Sequence, residues 1–257
     1  MKALILAAGY ATRLYPLTLN KSKALLPIFG EKTVVDFIIE QLENIDRISQ
    51  IIIVTNDKYI HAFEEWLGAR SFKKDIRLVN DGTVSLEDKL GAIGDMQFAI
   101  EQEHIEEDLL VLAGDNVFTL DISEFIAFFD ESDRDCVLVK QTDNLQELQS
   151  IGVVELDADQ QILSFEEKPL VPRSNIGVYA IYLYKKETLP LIKDYLSAGH
   201  NPDSPSRFPE WLIHHRDVRA YFGEGDIYDI GTHEALDEVR HIFGKIGENR
   251  DNEERML

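Results

Sequence analysis

Four short apolar runs, separated by stretches of helical periodicity, constrain this chain more than any other feature of its sequence. They are Lys2–Ala7, Ile51–Thr55, Ile76–Val79 and Leu109–Ala113. Each is long enough for a strand buried on both faces and too short for a helix. Between the first two, residues 33–45 place Val34, Phe37, Ile38 and Leu42 on one helical face. Further helices are expected over residues 57–68 and 86–103. Buried strands alternating with amphipathic helices predict an α/β domain, with a mostly parallel sheet flanked by helices on both faces. In such sheets ligands gather at the carboxyl ends of the strands.

The pattern changes from about residue 135. The apolar runs Cys136–Lys140, Ile151–Leu156, Gln161–Phe165 and Val178–Tyr184 are shorter and more alternating, which reads as a smaller mixed or partly antiparallel sheet. Gln141–Ser150 is polar and loop-like, a segment expected to lie over the site and move. A closing helix is expected over residues 233–243. The 257 residues therefore divide into two parts of one domain, 1–130 and 131–257.

Composition narrows the partners. The net charge is −21, from 47 acidic against 26 basic residues, so nucleic acid and anionic membranes would be repelled. No secretory, transmembrane or lipidation signal is present, and residues 1–7 are needed as a strand. The single cysteine, Cys136, sits in an apolar run and suits a reducing cytoplasm, where the chain is expected to work. Its seven histidines show no metal-ligand spacing. There is no G-x-S-x-G, no Cys/His pair and no G-x-x-x-x-G-K-[ST] loop, which argues against a covalent nucleophile and a generic nucleotide hydrolase.

Against this acidic background one local cluster of cations stands out. After the first strand come Ala8-Gly9, then Arg13, Lys21 and Lys23, with Pro16 and Pro27 discouraging a helix. Small residues let the backbone approach a ligand closely, and the cations would neutralise a polyphosphate. Gly114-Asp115-Asn116, just past the fourth strand, is suited to hold Mg²⁺ against phosphate oxygens; its plainer reading is an ordinary Asp/Asn turn. Glu166-Glu167-Lys168-Pro169 and Gly225–Thr232 are further charged or turn-rich strand ends.

The stretch Leu6–Pro27 resembles the signature of the sugar-phosphate nucleotidylyltransferases, the nucleoside-diphosphate-sugar pyrophosphorylases. Leu6, Ala7, Ala8, Gly9, Thr12, Arg13, Leu14, Pro16, Thr18, Lys23, Leu25, Leu26 and Pro27 fit it. Ala11 stands where a glycine is usual and Ser22 replaces a proline; an alanine at 11 is expected to remove access to positive φ and shift the loop. Glu167-Lys168-Pro169, Asn175–Tyr179 and Asp229-Ile230-Gly231-Thr232 also match family segments, so the resemblance spans residues 4 to 236. It leaves no room in this chain for the left-handed β-helix that some relatives carry.

The resemblance implies the Rossmann-like fold of nucleotide-diphospho-sugar transferases. It implies condensation of a nucleoside triphosphate with a sugar 1-phosphate, or another phosphorylated acceptor such as phosphocholine. Leu6, Ala8, Gly9, Thr12, Arg13, Lys23, Asn80, Gly82 and Gly114 would bind the nucleotide, with Arg13, Lys23 and Asp115 catalytic. Asp115 and Asp229 would hold Mg²⁺, with Asp226 a substitute carboxylate. Glu167, Lys168, Asn175 and Gly177 would bind the acceptor. Residues 80–83 and 90–95 occupy the region where relatives recognise the base, and they lack the Q-P-S-P-x-G-L-A-Q stretch of thymidylyl-transferring relatives. A homo-oligomer is also compatible with the family. A silent regulatory module of the same fold would be expected to lose Arg13, Lys23 or an aspartate, and none is lost.

Overall fold

The computed structural model describes residues 1–254, with side chains described through residue 244. In chain order the first half comprises β1 (Lys2–Leu6), β2 (Pro27–Phe29), β3 (Lys32–Thr33), α1 (Val34–Leu42), β4 (Gln50–Thr55), α2 (Ile60–Gly68), β5 (Asp75–Asn80), α3 (Ala92–Gln102), β6 (Leu109–Ala113), β7 (Asn116–Phe118) and α4 (Ile122–Ser132). The second half comprises β8 (Asp135–Gln141), α5 (Leu145–Leu148), β9 (Gly152–Leu156), β10 (Ile162–Glu167), β11 (Ile176–Tyr184), α6 (Leu189–Ser197), α7 (Arg207–Leu212), β12 (Val218–Phe222), β13 (Ile227–Asp229) and α8 (His233–Glu254).

The four apolar runs form a parallel core in the order β6-β1-β4-β5. Their continuous hydrophobicity follows from burial on both faces. In β4, Ile51 and Ile53 pack on the side of α1, α2 and α4, while Ile52 and Val54 pack on the side of α3, α6 and α7. Each such side chain contributes about 1.5–3 kcal/mol by leaving water. The alternating second half is no separate sheet. The long strand β11 pairs antiparallel with β6, β8 and β9, so the parallel and mixed parts join in one nine-stranded sheet. A register shift between Tyr179 and Tyr182 marks where β11 bends between its neighbours.

Three helical expectations change. The helix placed at 86–103 begins at Ala92; residues 84–88 form a turn instead, with Asp88 accepting from the backbone N–H of Val84 and Ser85. These local side-chain bonds compete with a helix start. The Gln141–Ser150 loop contains α5, whose Asn144 side chain caps it by accepting from the N–H of Gln146 and Glu147. The closing helix expected to end at 243 runs to Glu254. Cys136 is fully buried, as its apolar surroundings predict, and burial pushes its thiol up to about 12.

Candidate active site

The carboxyl ends of the parallel strands open into a cleft of about 500 Å³. Its floor begins with Leu6, Ala8, Gly9 and Tyr10. The carbonyls of this loop are turned inward: Asn56 Nδ2 donates to Ala8 O at 2.8 Å and the Thr18 hydroxyl to Ala11 O at 2.8 Å. Among the described residues, the N–H groups of Ala8, Gly9 and Tyr10 have no protein acceptor. A row of free N–H groups beside small residues is an anion cradle. Gly114 is required here by close approach. A Cβ on it would lie 2.7 Å from Leu6 O, and its N–H donates to that carbonyl at 2.8 Å.

Of the two sequence departures in the loop, the one at Ala11 resolves differently from expectation. Ala11 does hold positive φ, at 45°, so the alanine accepts the left-handed conformation rather than excluding it. The Thr18 bond to its carbonyl and the turn that follows hold it there, at a cost of about 1–2 kcal/mol relative to glycine. Ser22 stands in for proline by accepting from Ala24 N–H and donating to Ala7 O.

The charged centre is assembled from four distant segments. Lys23 Nζ sits 2.6 Å from Asp115 Oδ2 and 3.8 Å from Asp229 Oδ1. Asp229 reaches Asp115 because β13 pairs antiparallel with β7, placing Asp229 opposite Asn116, and Ile230 N–H donates to Asp115 O at 3.1 Å. Arg13 lies beside Gly231 and adds its charge to Asp229. Confinement by the surrounding protein, and then the charge of Asp115, holds the Asp229 carboxyl above the usual range, while Lys23 and Arg13 oppose this. Two carboxylates within reach of one lysine ammonium at a cleft wall are hard oxygen donors that suit a hard cation. Mg²⁺ is ordinarily held by one or two carboxylates together with substrate phosphates, so this donor set fits it. No cluster of three or more metal-ligating side chains exists among the described residues. Asp226 is exposed, close to Lys140 and Tyr228, and is not among the cleft-lining residues.

Another part of the cleft is polar and differently built. Glu167 ends β10 almost fully buried, and its carboxylate accepts from the hydroxyls of Ser204 and Ser206. Lys168 follows at φ 52°, its N–H on Ile151 O and its Nζ 3.7 Å from Glu167 Oε1. Non-glycine residues in this region cost about 1–3 kcal/mol and cluster at functional sites. Glu147 of α5 reaches in, accepting from Tyr179 OH and from Thr142 Oγ1. Asp81 and Asp95 complete the lining near Tyr10.

The structure thus brings Leu6, Ala8, Gly9, Asp115, Glu167, Lys168 and Asp229 to the cleft wall, with Lys23 and Arg13 on the aspartates. Others lie outside the lining. Thr12 and Lys21 are exposed, and Asn175 is exposed with its amide donating to Asp143. Gly177 is buried under Ile151. Asn80 and Gly82 bond to each other and shape the turn that presents Asp81. Ser204 and Ser206 were missed as site residues, and Asp81, Glu147 and Tyr179 were placed near the site only through the stretches that carry them, because nothing in their local sequence separates them from ordinary polar turns and strands.

The model of a family described as nucleotidyl transferase matches residues 2–244. The chain belongs to this family. Among its relatives is a Sulfolobus acidocaldarius protein assigned as a mannose-1-phosphate guanyltransferase, 30% identical over 234 residues, covering 90% of this chain and 60% of the other. A glucose-1-phosphate adenylyltransferase of Bacillus mycoides is 26% identical over 256 residues, covering 91% and 65%. The chain spans less than two thirds of the length of these curated relatives. A Bacillus anthracis structure assigned as a glucose-1-phosphate thymidylyltransferase, in complex with a sucrose, matches with a TM-score of 0.82 at 25% identity over 95% of both chains. The printed names differ in base and sugar, so family membership alone fixes neither. No helix among the described residues is long and apolar enough to cross a membrane.

Proposed function

We propose that this chain condenses a nucleoside triphosphate with a sugar 1-phosphate, releasing pyrophosphate and forming a nucleoside-diphosphate sugar. One observation carries the reading: Arg13, Lys23, Asp115 and Asp229 converge at the strand ends beside a free N–H cradle, in a cleft that also holds Glu167 and Lys168. A phosphate oxygen of the acceptor attacks the α-phosphorus in line. The new oxygen–phosphorus bond forms as the bond to the β-phosphate oxygen breaks, and pyrophosphate leaves with that electron pair. The attacking phosphate is already anionic, so no general base is needed, and catalysis rests on positioning and electrostatics.

Arg13 neutralises the β- and γ-phosphates, and Lys23 stabilises charge developing at the α-phosphoryl group. Lys168 positions the acceptor phosphate and Glu167 accepts from its hydroxyls, with Ser204 and Ser206 fixing the Glu167 carboxylate. Asp115 and Asp229 would hold Mg²⁺, which when bound supplies charge neutralisation for the triphosphate. The test is pyrophosphate release with Mg²⁺ from five triphosphates crossed with sugar 1-phosphates, with phosphocholine in the same panel. One acceptor-dependent pair, lost in Asp115→Ala, is the expected result. A signal from phosphocholine alone would keep the chemistry and replace the acceptor; silence throughout from folded protein would overturn the reading.

A further inference from the structure

Arg13 is given the β- and γ-phosphates to neutralise, yet no partner fixes its side chain. The residue is exposed, and among the described residues its guanidinium has neither a hydrogen-bond acceptor nor a carboxylate within 4 Å. It lies over Gly231, where a Cβ would stand 3.5 Å from Arg13 Nη2 and 3.1 Å from Asp229 Oδ2. The place of the guanidinium is therefore set by the backbone of the loop that carries it.

That loop is held at several points. Within it, Leu14 N–H donates to Ala11 O at 3.0 Å, Tyr15 N–H to Thr12 O at 3.2 Å, and the Thr18 hydroxyl to Ala11 O. On the side of α2, Tyr59 OH donates to Thr18 O at 2.7 Å. These bonds shape the loop and seat it on the first half of the chain, but none of them joins it to the segment that carries Asp229. His233 does. Its Nε2 lies 3.1 Å from the carbonyl oxygen of Tyr15, two residues after Arg13. A carbonyl only accepts, so Nε2 carries a proton whether the ring is neutral or charged.

The donor is itself well seated. His233 opens α8 directly after Gly231-Thr232, where Thr232 Oγ1 accepts from Ala235 N–H at 3.2 Å and Thr232 O from Leu236 N–H at 3.0 Å. Further along the helix, Arg240 Nε donates to Pro27 O at 3.0 Å, and Phe243 packs edge-on against Tyr228, the neighbour of Asp229. The imidazole is thus tied to the Asp229 segment at one end and to the Arg13 loop at the other. We propose that His233 is the positioning residue for Arg13, its hydrogen bond to Tyr15 O keeping the guanidinium over the Asp229 segment. This deepens, and rests on, the reading of the cleft as a nucleoside-triphosphate site. His233 touches no reacting atom and acts through Arg13.

The experiment is calorimetric binding of tripolyphosphate with Mg²⁺ to the intact chain, alongside KM for both substrates in pyrophosphate release. His233→Ala should weaken tripolyphosphate binding by about five- to tenfold, the worth of one hydrogen bond, and raise KM for the triphosphate to match. KM for the acceptor should move by under about twofold. His233→Gln puts an amide nitrogen where Nε2 stands and should restore the affinity. His233→Asn puts its nitrogen where Nδ1 stands and should not. In an Arg13→Ala background, His233→Ala should have no further effect, because it acts through that guanidinium. Unchanged tripolyphosphate affinity in His233→Ala overturns the proposal, as does a full effect in the Arg13→Ala background. If His233→Ala fails to fold, the other two variants decide: rescue by Asn equal to that by Gln overturns it. Tripolyphosphate binding with no pyrophosphate release from any pair would sink the transfer reaction, and the same binding outcomes would still judge His233. Folded wild-type protein that binds no tripolyphosphate sinks both.

Discussion

At the scale of single residues, Lys23 carries the heaviest electrostatic duty. It lies 2.6 Å from Asp115 and within 4 Å of Asp229, so its removal leaves two facing carboxylates with Arg13 alone. Lys23→Ala should lower kcat for pyrophosphate release by about 10²–10³-fold, the usual cost of losing a preorganised charge at the reacting group. The acceptor should respond differently. Ser206→Ala removes one of the hydroxyls fixing Glu167, so steady-state kinetics should show KM for the acceptor phosphate raised several-fold with KM for the triphosphate unchanged. Arg13 and Lys23 stood out in the sequence as cations following a strand and small residues, and Asp115 as a strand-end carboxylate, whereas Asp229 was singled out by the family resemblance. Ser206 was not: its role exists only because the segment before α7 passes beside the end of β10.

At the scale of elements, two junctions fix neighbouring segments against each other. The first turn of α1 is closed by Asp36, which accepts from Thr33 N–H and Oγ1 at 2.7 Å, from Trp66 Nε1 at 3.0 Å, and pairs with Arg70. One buried carboxylate thereby ties α1 to α2. Asp36→Ala leaves several buried donors unpaired and should cost about 3 kcal/mol in urea unfolding. The second junction is Gly91, at φ 79°, where a Cβ would lie 2.8 Å from the backbone of Pro202. Gly91→Ala should destabilise the fold by about 1–2 kcal/mol through backbone strain alone. It should also raise acceptor KM, because the displaced segment carries Ser204 and Ser206; calorimetric melting and kinetics check the two parts.

At the scale of the whole molecule, the seam between the parallel and mixed strands is where pH should be felt. Asp135 begins β8, buried, and its carboxylate accepts from Lys185 N–H and Thr188 Oγ1 at the entry to α6. Burial pushes its carboxyl up from 3.8 to about 6, despite those hydrogen bonds. Between these values the folded chain keeps a proton that the unfolded chain releases. Stability therefore falls as pH rises through that window, is unpenalised below it, and is level above it. Asp135→Asn lacks this penalty. Its melting temperature relative to wild type should climb between about pH 4 and pH 6, by the equivalent of at most about 3 kcal/mol, and stay constant above.

The sequence by itself determined the parallel core, because a strand buried on both faces must be apolar throughout and such runs are unambiguous. It also marked the cation-bearing loop after the first strand and the Gly114-Asp115-Asn116 turn as candidates, since small residues, turns and charges act within a few positions of one another. What it left open was everything that depends on which strand lies beside which. The pairing of β13 with β7 decides that Asp229 meets Asp115, and the junction at Gly91 decides that Ser204 and Ser206 face Glu167. Burial and charge compensation are properties of distances across the fold, and only the tertiary structure sets those distances.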